Sequence, residues 1–125
     1  MTEAGIGDDP DRLLQIPRET CLSEIRCDRP DLTLRQLAVL LIVYQTEELQ
    51  TVRGLAKHLN ISKPVVTHVL NRLEELDLAY RKIDPKDRRS VLVQRTPGGA
   101  AMMERLRATM AAATTEAAQQ AAEQP

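Results

Sequence analysis

The chain has 125 residues, enough for one ordinary domain and too few for two. A composition of 42% hydrophobic and 28% charged residues excludes a mainly disordered chain, and the longest apolar run, Leu37 to Tyr44, is far short of the roughly 20 residues of a membrane span. With no Phe, no Trp and two Tyr, the core falls to Leu, Val, Ile, Ala and Met, and a sheet that stacks bases on aromatic rings is disfavoured.

The acidic, Gly-containing stretch Met1 to Pro10 has no basic-then-apolar segment. It reads as a frayed tail without a secretory signal, and the expected compartment is the cytoplasm. Leu13, Leu14, Ile16, Leu22 and Ile25 follow, with Pro17 interrupting the pattern. The spacing predicts a short helix from Arg18 to about Cys27, ended by Arg29-Pro30, because a proline disfavours helix in the residue before it. Thr33 with Gln36 has capping-box form, and Leu34, Leu37, Leu40, Leu41 and Tyr44 recur at helical spacing, which predicts a helix from 34 to about 46.

Glu48-Leu49-Gln50 reads as a short link or strand. Thr51 caps a helix carrying Val52, Leu55, Ala56 and Leu59, and Asn60 suits a left-handed terminator. Ser62 is a good N-cap for the next helix, Pro64 fits its first turn, and Val65, Val66, Val69, Leu70, Leu73 and Leu76 carry it to about Leu76. Helix, three-residue turn, helix is the helix-turn-helix unit.

The period then changes to that of strands. Residues 79–83 and 90–94 read as two strands joined by the polar loop Asp84-Pro85-Lys86-Asp87-Arg88-Arg89. Such a hairpin after a helix-turn-helix describes a wing. Thr96 caps a last helix with Pro97 in its first turn, and the Ala-rich remainder favours helix to about Gln124. The fold class expected is mainly α with a small β-hairpin wing, a winged helix-turn-helix. Its parts are an N-terminal tail and short helix over 1–30, a winged-helix domain over 31–96 and a C-terminal helix over 97–125.

The net charge of −1 hides an uneven distribution. Residues 53–95 hold ten Lys/Arg against five Asp/Glu, a net +5, and the remainder holds seven against thirteen, a net −6. A basic segment in an acidic chain is the footprint of a polyanion-binding surface. The alternative is a solvated face. The residues decide between them: a helix placed in the major groove reads bases with its N-terminal side chains. Ser62, Lys63, Pro64, Thr67, His68 and Arg72 stand at such positions, with Asn71 among them, while Val66, Val69, Leu70 and Leu73 suit a face packed on the core. In the wing, Lys86, Arg88 and Arg89 add charge, and an Arg at a hairpin tip can enter a narrow minor groove. Asp87 fits beside them if it holds an Arg side chain by an ion pair.

Other chemistry has little support. Cys21 and Cys27 are spaced wrongly for zinc, as are His58 and His68. Partly buried thiols are the favoured reading, a redox-sensing thiol the alternative. No phosphate loop, nucleophile elbow or paired-His motif is present, so no enzyme, cofactor or metal site is expected.

Residues 32–40, 55–62, Arg72-Leu73-Glu74 and 84–90 resemble the MarR family of bacterial transcription regulators. The wing pattern is the most specific part: Asp87, Arg89, Thr96 and Gly99 stand where that family has Asp, Arg, Thr and Gly, and Arg95 and Asp77 replace a usual Leu and Gly. The resemblance implies a winged helix that binds pseudo-palindromic double-stranded DNA as a homodimer. It further implies that Asp87 orients the wing and Arg89 approaches the minor groove. A winged-helix protein-interaction module without specific DNA binding is the competing reading, and a small-molecule effector is left unassigned. Met103, Leu106, Met110, Ala113 and Ala117 recur at three-four spacing and are the expected dimerisation seam, with Leu22 and Ile25 adding to it.

Overall fold

The computed structural model describes residues 10–123; the frayed tail expected before Pro10 lies outside them. The element order is α1 (Pro10–Arg26), α2 (Leu34–Gln45), β1 (Gln50–Thr51), α3 (Val52–Leu59), α4 (Lys63–Glu75), β2 (Ala79–Asp84), β3 (Asp87–Arg95) and α5 (Pro97–Glu123). Two compact units divide the chain: Leu32–Met103, and the terminal segments up to Asp31 and from Glu104 on. No helix among the described residues is long and apolar enough to cross a membrane.

In the unit Leu32–Met103 the local signals act as their chemistry dictates. Thr33 and Gln36 form a reciprocal capping box at the start of α2. Thr51 and Ser62 cap α3 and α4 through their hydroxyls. Asn60 ends α3 at φ 55°, and Asp77 follows α4 at φ 56°. Behind Asp77, Leu78 N–H bonds the Leu73 carbonyl and Asp77 N–H the Glu74 carbonyl, a closure that needs one left-handed residue. Asp supplies it where the resemblance placed a Gly.

The core is aliphatic. Val39, Leu40, Leu55, Val66, Leu70, Leu73 and Val93 are almost wholly buried, so α2, α3, α4 and β3 meet on branched side chains. Sheet order is β1-β3-β2, all antiparallel, with Gln50 opposite Val93 and Tyr80 opposite Gln94. The wing therefore has three strands: the link before α3 supplies the third.

Two expectations are corrected. The first helix does not begin after Pro17; α1 runs from Pro10 through it. A proline inside a helix removes one backbone bond and crowds the preceding turn. Pro17 and Leu13 both lie on the exposed side, where solvent can reach the carbonyl that Pro17 cannot serve. In the wing, the six-residue loop shrinks to Pro85-Lys86, because the strands run on to Asp84 and Asp87 with a bulge at Ile83/Asp84. Asp84 accepts from Lys86 N–H at 2.9 Å and Asp87 from Arg89 N–H at 3.1 Å, so the aspartates make the tight turn.

The terminal unit pairs α1 with the later part of α5. Arg105 reaches Glu24 at 3.2 Å, Ser23 meets Thr109 at 3.5 Å, and Arg12 donates to Gln120 at 2.6 Å, so the two helices run antiparallel. Cys21 and Cys27 are exposed rather than partly buried.

Where α2, α4, β3 and α5 converge, the Tyr44 hydroxyl donates to the Leu78 carbonyl at 2.7 Å and accepts from Thr96 N–H at 3.0 Å. Thr96 Oγ1 donates to the Asp77 carbonyl at 2.7 Å and accepts from Gly99 N–H at 2.9 Å, capping α5. A Cβ on Gly99 would collide with the Tyr44 hydroxyl and the Leu78 carbonyl. Tyr44→Phe leaves part-buried polar groups without partners and is expected to lower stability by about 1–3 kcal/mol. Gly99→Ala is expected to be at least as damaging. Urea unfolding of both variants checks this; a Tyr44→Phe midpoint equal to wild type would show that the hydroxyl carries no stability.

Candidate nucleic-acid interface

α4 has two faces set by its sequence. Val66, Val69, Leu70 and Leu73 are buried, as the apolar spacing predicts. Ser62, Lys63, Pro64, His68 and Asn71 are exposed, and Thr67 and Arg72 are half-exposed. The polar positions named from sequence therefore share the solvent side of the helix. Ser62 Oγ accepts from Val65 N–H at 3.4 Å, which leaves its own proton to donate outward. Arg72 Nη1 lies 3.1 Å from Glu75, one turn closer to the C-terminal end.

The wing residues Lys86, Asp87, Arg88 and Arg89 are all exposed. Arg89 is held twice by Asp87, through its backbone N–H and through Nε at 3.7 Å from the same carboxylate. With the Arg89 side chain 93% exposed, this pair adds little to the stability of the fold.

A hollow of about 400 Å³ opens between these elements, lined by Thr51, Val52, Arg53, Lys63, Asp87, Arg89, Ser90 and Val91. It brings the first residue of α4 and the wing together with the start of α3. Arg53 was counted in the basic segment but not singled out as a contact residue. Its place in the first turn of α3, right after a Thr cap, was the available signal. Three cations from three elements around one hollow suit a phosphate oxygen. Arg88 does not line it.

A second feature links α4 to the wing. Arg81, on β2, donates to Glu74 from its backbone N–H at 2.7 Å, from Nε at 3.2 Å and from Nη2 at 2.8 Å. These side-chain hydrogen bonds hold the Glu74 carboxyl below its usual value of 4.5 against the opposing effect of burial, and hold Arg81 more firmly protonated. Neither Arg81 nor Glu74 was singled out for this role from sequence.

Arg95, in place of the family's Leu, ends β3 and turns to α2. It donates to the Val43 carbonyl at 3.0 Å and the Thr46 carbonyl at 2.8 Å, with its guanidinium 5.5 Å from the Tyr44 ring centroid. A cation on the last carbonyls of a helix is favourable there. Of the five residues of the expected seam, Met103, Leu106, Ala113 and Ala117 are buried within the single chain and Met110 is 43% exposed.

Comparison with known proteins places this architecture. Residues 32–91 match the model of the MarR family. Over 78 residues it is 33% identical to the organic hydroperoxide resistance transcriptional regulator of Bacillus subtilis; the alignment covers 62% of this chain and 52% of that protein, so the chain spans about half the length of that relative. The structure of the YusO protein of Bacillus subtilis superposes with a TM-score of 0.66 at 25% identity, over 83% of this chain and 71% of that one. A variant of S. aureus MepR, solved bound to an oligodeoxyribonucleotide, superposes with a TM-score of 0.67 at 23% identity, over 89% of this chain and 76% of that one. The winged helix-turn-helix expected from sequence is therefore the family fold.

Two outcomes follow from the geometry. Lys63→Ala is expected to weaken binding to every duplex and reduce the salt slope by about one unit, whereas Leu73→Ala is expected to destabilise the fold by roughly 2–5 kcal/mol. Titration of each variant at several salt concentrations, with unfolding curves alongside, separates them; an unchanged slope in Lys63→Ala removes the phosphate role. The lowered Glu74 value makes the second. Its stabilisation is complete above 4.5, where the unfolded carboxyl is ionised, and fades as pH falls through the lower folded value. Glu74→Gln is expected to be less stable than wild type near neutrality, with the gap closing on acidification. Unfolding midpoints of both proteins across that range check it; a constant gap contradicts it.

Proposed function

We propose that the chain is a sequence-specific, DNA-binding transcription regulator of the MarR type, acting in the cytoplasm on pseudo-palindromic duplex DNA as a homodimer. The observation that carries this reading is the exposed polar face of α4 beside the hollow ringed by Arg53, Lys63 and Arg89. A polar helix face supplies donors and acceptors to base edges, and the cations supply sequence-independent affinity. Ser62, Lys63, Pro64, Thr67, His68 and Arg72 form the groove-facing set, and Asp87, Arg88 and Arg89 the wing set. Arg89 is the minor-groove residue and Asp87 its positioner.

A homodimer follows from the geometry of DNA: one recognition helix covers few base pairs, and a twofold pair reads half-sites about one helical turn apart. Since four seam residues are already packed inside one chain, Met110 remains as the seam's contact to a second copy. Leu13, Leu14 and Ile25 on α1, 45%, 66% and 59% exposed, add apolar surface to it.

Footprinting the full chain on genomic fragments and measuring the salt dependence of the protected fragments tests the function. A steep fall of affinity with salt is expected. A flat response would favour the protein-interaction reading. Sedimentation tests assembly: wild type is expected as a dimer, and Leu14→Asp with Ile25→Asp as a monomer of much weaker DNA affinity. A monomeric wild type that protects a full palindrome sinks the dimer. Arg89→Ala and Asp87→Ala are expected to weaken binding with melting temperature nearly unchanged; tighter binding by Asp87→Ala would make Asp87 a repulsive charge, not a positioner.

A further inference from the structure

Asn71 occupies the middle of the exposed face of α4, four residues after Thr67 and three after His68, so all three share one stripe. Its amide is not free to turn. Arg81 Nη2 donates to Asn71 Oδ1 at 2.5 Å while also donating to Glu74 Oε2 at 2.8 Å. The guanidinium is a donor on every edge, so only the oxygen of an amide can face it. Glu74 holds the plane of that guanidinium through Nε and Nη2, and the backbone N–H of Arg81 fixes the carboxylate in turn. The order of constraint thus runs from the wing strand β2, through Glu74 and Arg81, to the exposed amide on α4. One lone pair of the Asn71 oxygen is engaged by Arg81, and its NH₂ group points away from the cation.

We propose that Asn71 presents its NH₂ group to a base edge, and that Arg81 is the residue that fixes this orientation of the amide. An unconstrained Asn can turn either its oxygen or its NH₂ group outward. With the oxygen side held against Arg81, the outward group donates to an acceptor in the major groove, guanine O6 or N7, adenine N7 or thymine O4, and rejects the cytosine amino group. Arg81 touches no base; it is a positioning residue. The assignment rests on the DNA-binding reading of α4 and deepens it by naming which chemistry one base pair of each half-site presents.

The test is selection of bound duplexes from a randomised pool by wild type, Asn71→Ala, Asn71→Asp and Arg81→Lys, with unfolding curves for each. Asn71 is exposed and both its variants are expected to fold. Wild type is expected to disfavour cytosine at one position per half-site, with discrimination of about tenfold, within the range of a direct base contact. Asn71→Ala is expected to lose that preference alone and to keep the wild-type salt slope. Asn71→Asp, an acceptor in both atoms, is expected to reverse it toward cytosine. Arg81→Lys keeps a cation for Glu74 but not the planar fork, frees the amide to turn, and is expected to admit cytosine at the same position. In Asn71→Ala with Arg81→Lys, the preference is expected to match Asn71→Ala alone, an outcome that a purely structural role of Arg81 does not produce. A preference that survives in Asn71→Ala overturns the assignment while leaving the DNA reading intact. Uniform weakening on every duplex puts the amide on a phosphate and also overturns it. Wild type that selects no sequence at all overturns both.

Discussion

The Tyr44 hydroxyl is the constraint on which the winged unit depends. It joins the end of α2 to the turn after α4 and to the end of β3, and Thr96 extends the same chain of bonds to Asp77 and to the first turn of α5. Each element ends there with backbone groups that have no partner of their own. Two hydroxyls serve them, and the lack of a Cβ on Gly99 lets α5 begin close enough to take part. Arg95 reinforces the junction from outside, spanning the last carbonyls of α2 while facing the Tyr44 ring. With no Phe or Trp to fill the core, polar closure at this corner takes on work that aromatic packing does elsewhere.

From that corner α4 and the wing diverge, and a second polar link joins them. Arg81 and Glu74 connect β2 to α4 with bonds from backbone and side chain together. A hairpin joined to a helix only through a turn could swing about it. Bidentate pairing within a short sequence separation removes that freedom at small entropic loss. The hollow beside Lys63 is lined from β1, α3, α4 and β3, and no one of them forms it alone.

How much of this was legible in sequence depends on range. Thr33 with Gln36, Thr51, Asn60 and Ser62 act on backbone groups within three residues, and each was readable from residue type and position. The buried stripe Val66, Val69, Leu70 and Leu73 was readable for the same reason, since helical periodicity is local. The hairpin was legible but its loop was not: charged residues in a row resemble a loop until they are seen to pair as strands. Pro17 was read as a break because the penalty is local, while what offsets it is the pairing of α1 with α5 some 80 residues on. The hold of Arg81 on Asn71 and the contribution of Arg53 were invisible because they need β2 and α3 placed beside α4. Sequence reveals that a cation is present, not which carboxylate or amide it faces.

The interface separates two kinds of side chain. Arg53, Lys63 and Arg89 carry full charge around an open hollow, where their attraction for phosphate does not depend on the bases above it. Asp87 among them lowers that attraction while accepting from the Arg89 backbone N–H. The middle of α4 is nearly neutral by contrast: Pro64, Thr67, His68 and Asn71 present hydrogen-bonding groups and small apolar surface, and Arg72 is drawn toward Glu75. A strong cation at the centre would bind any duplex, so discrimination requires weaker groups with fixed directions. Arg81 stays only a quarter exposed and spends its donors on Glu74 and on the neutral Asn71 amide.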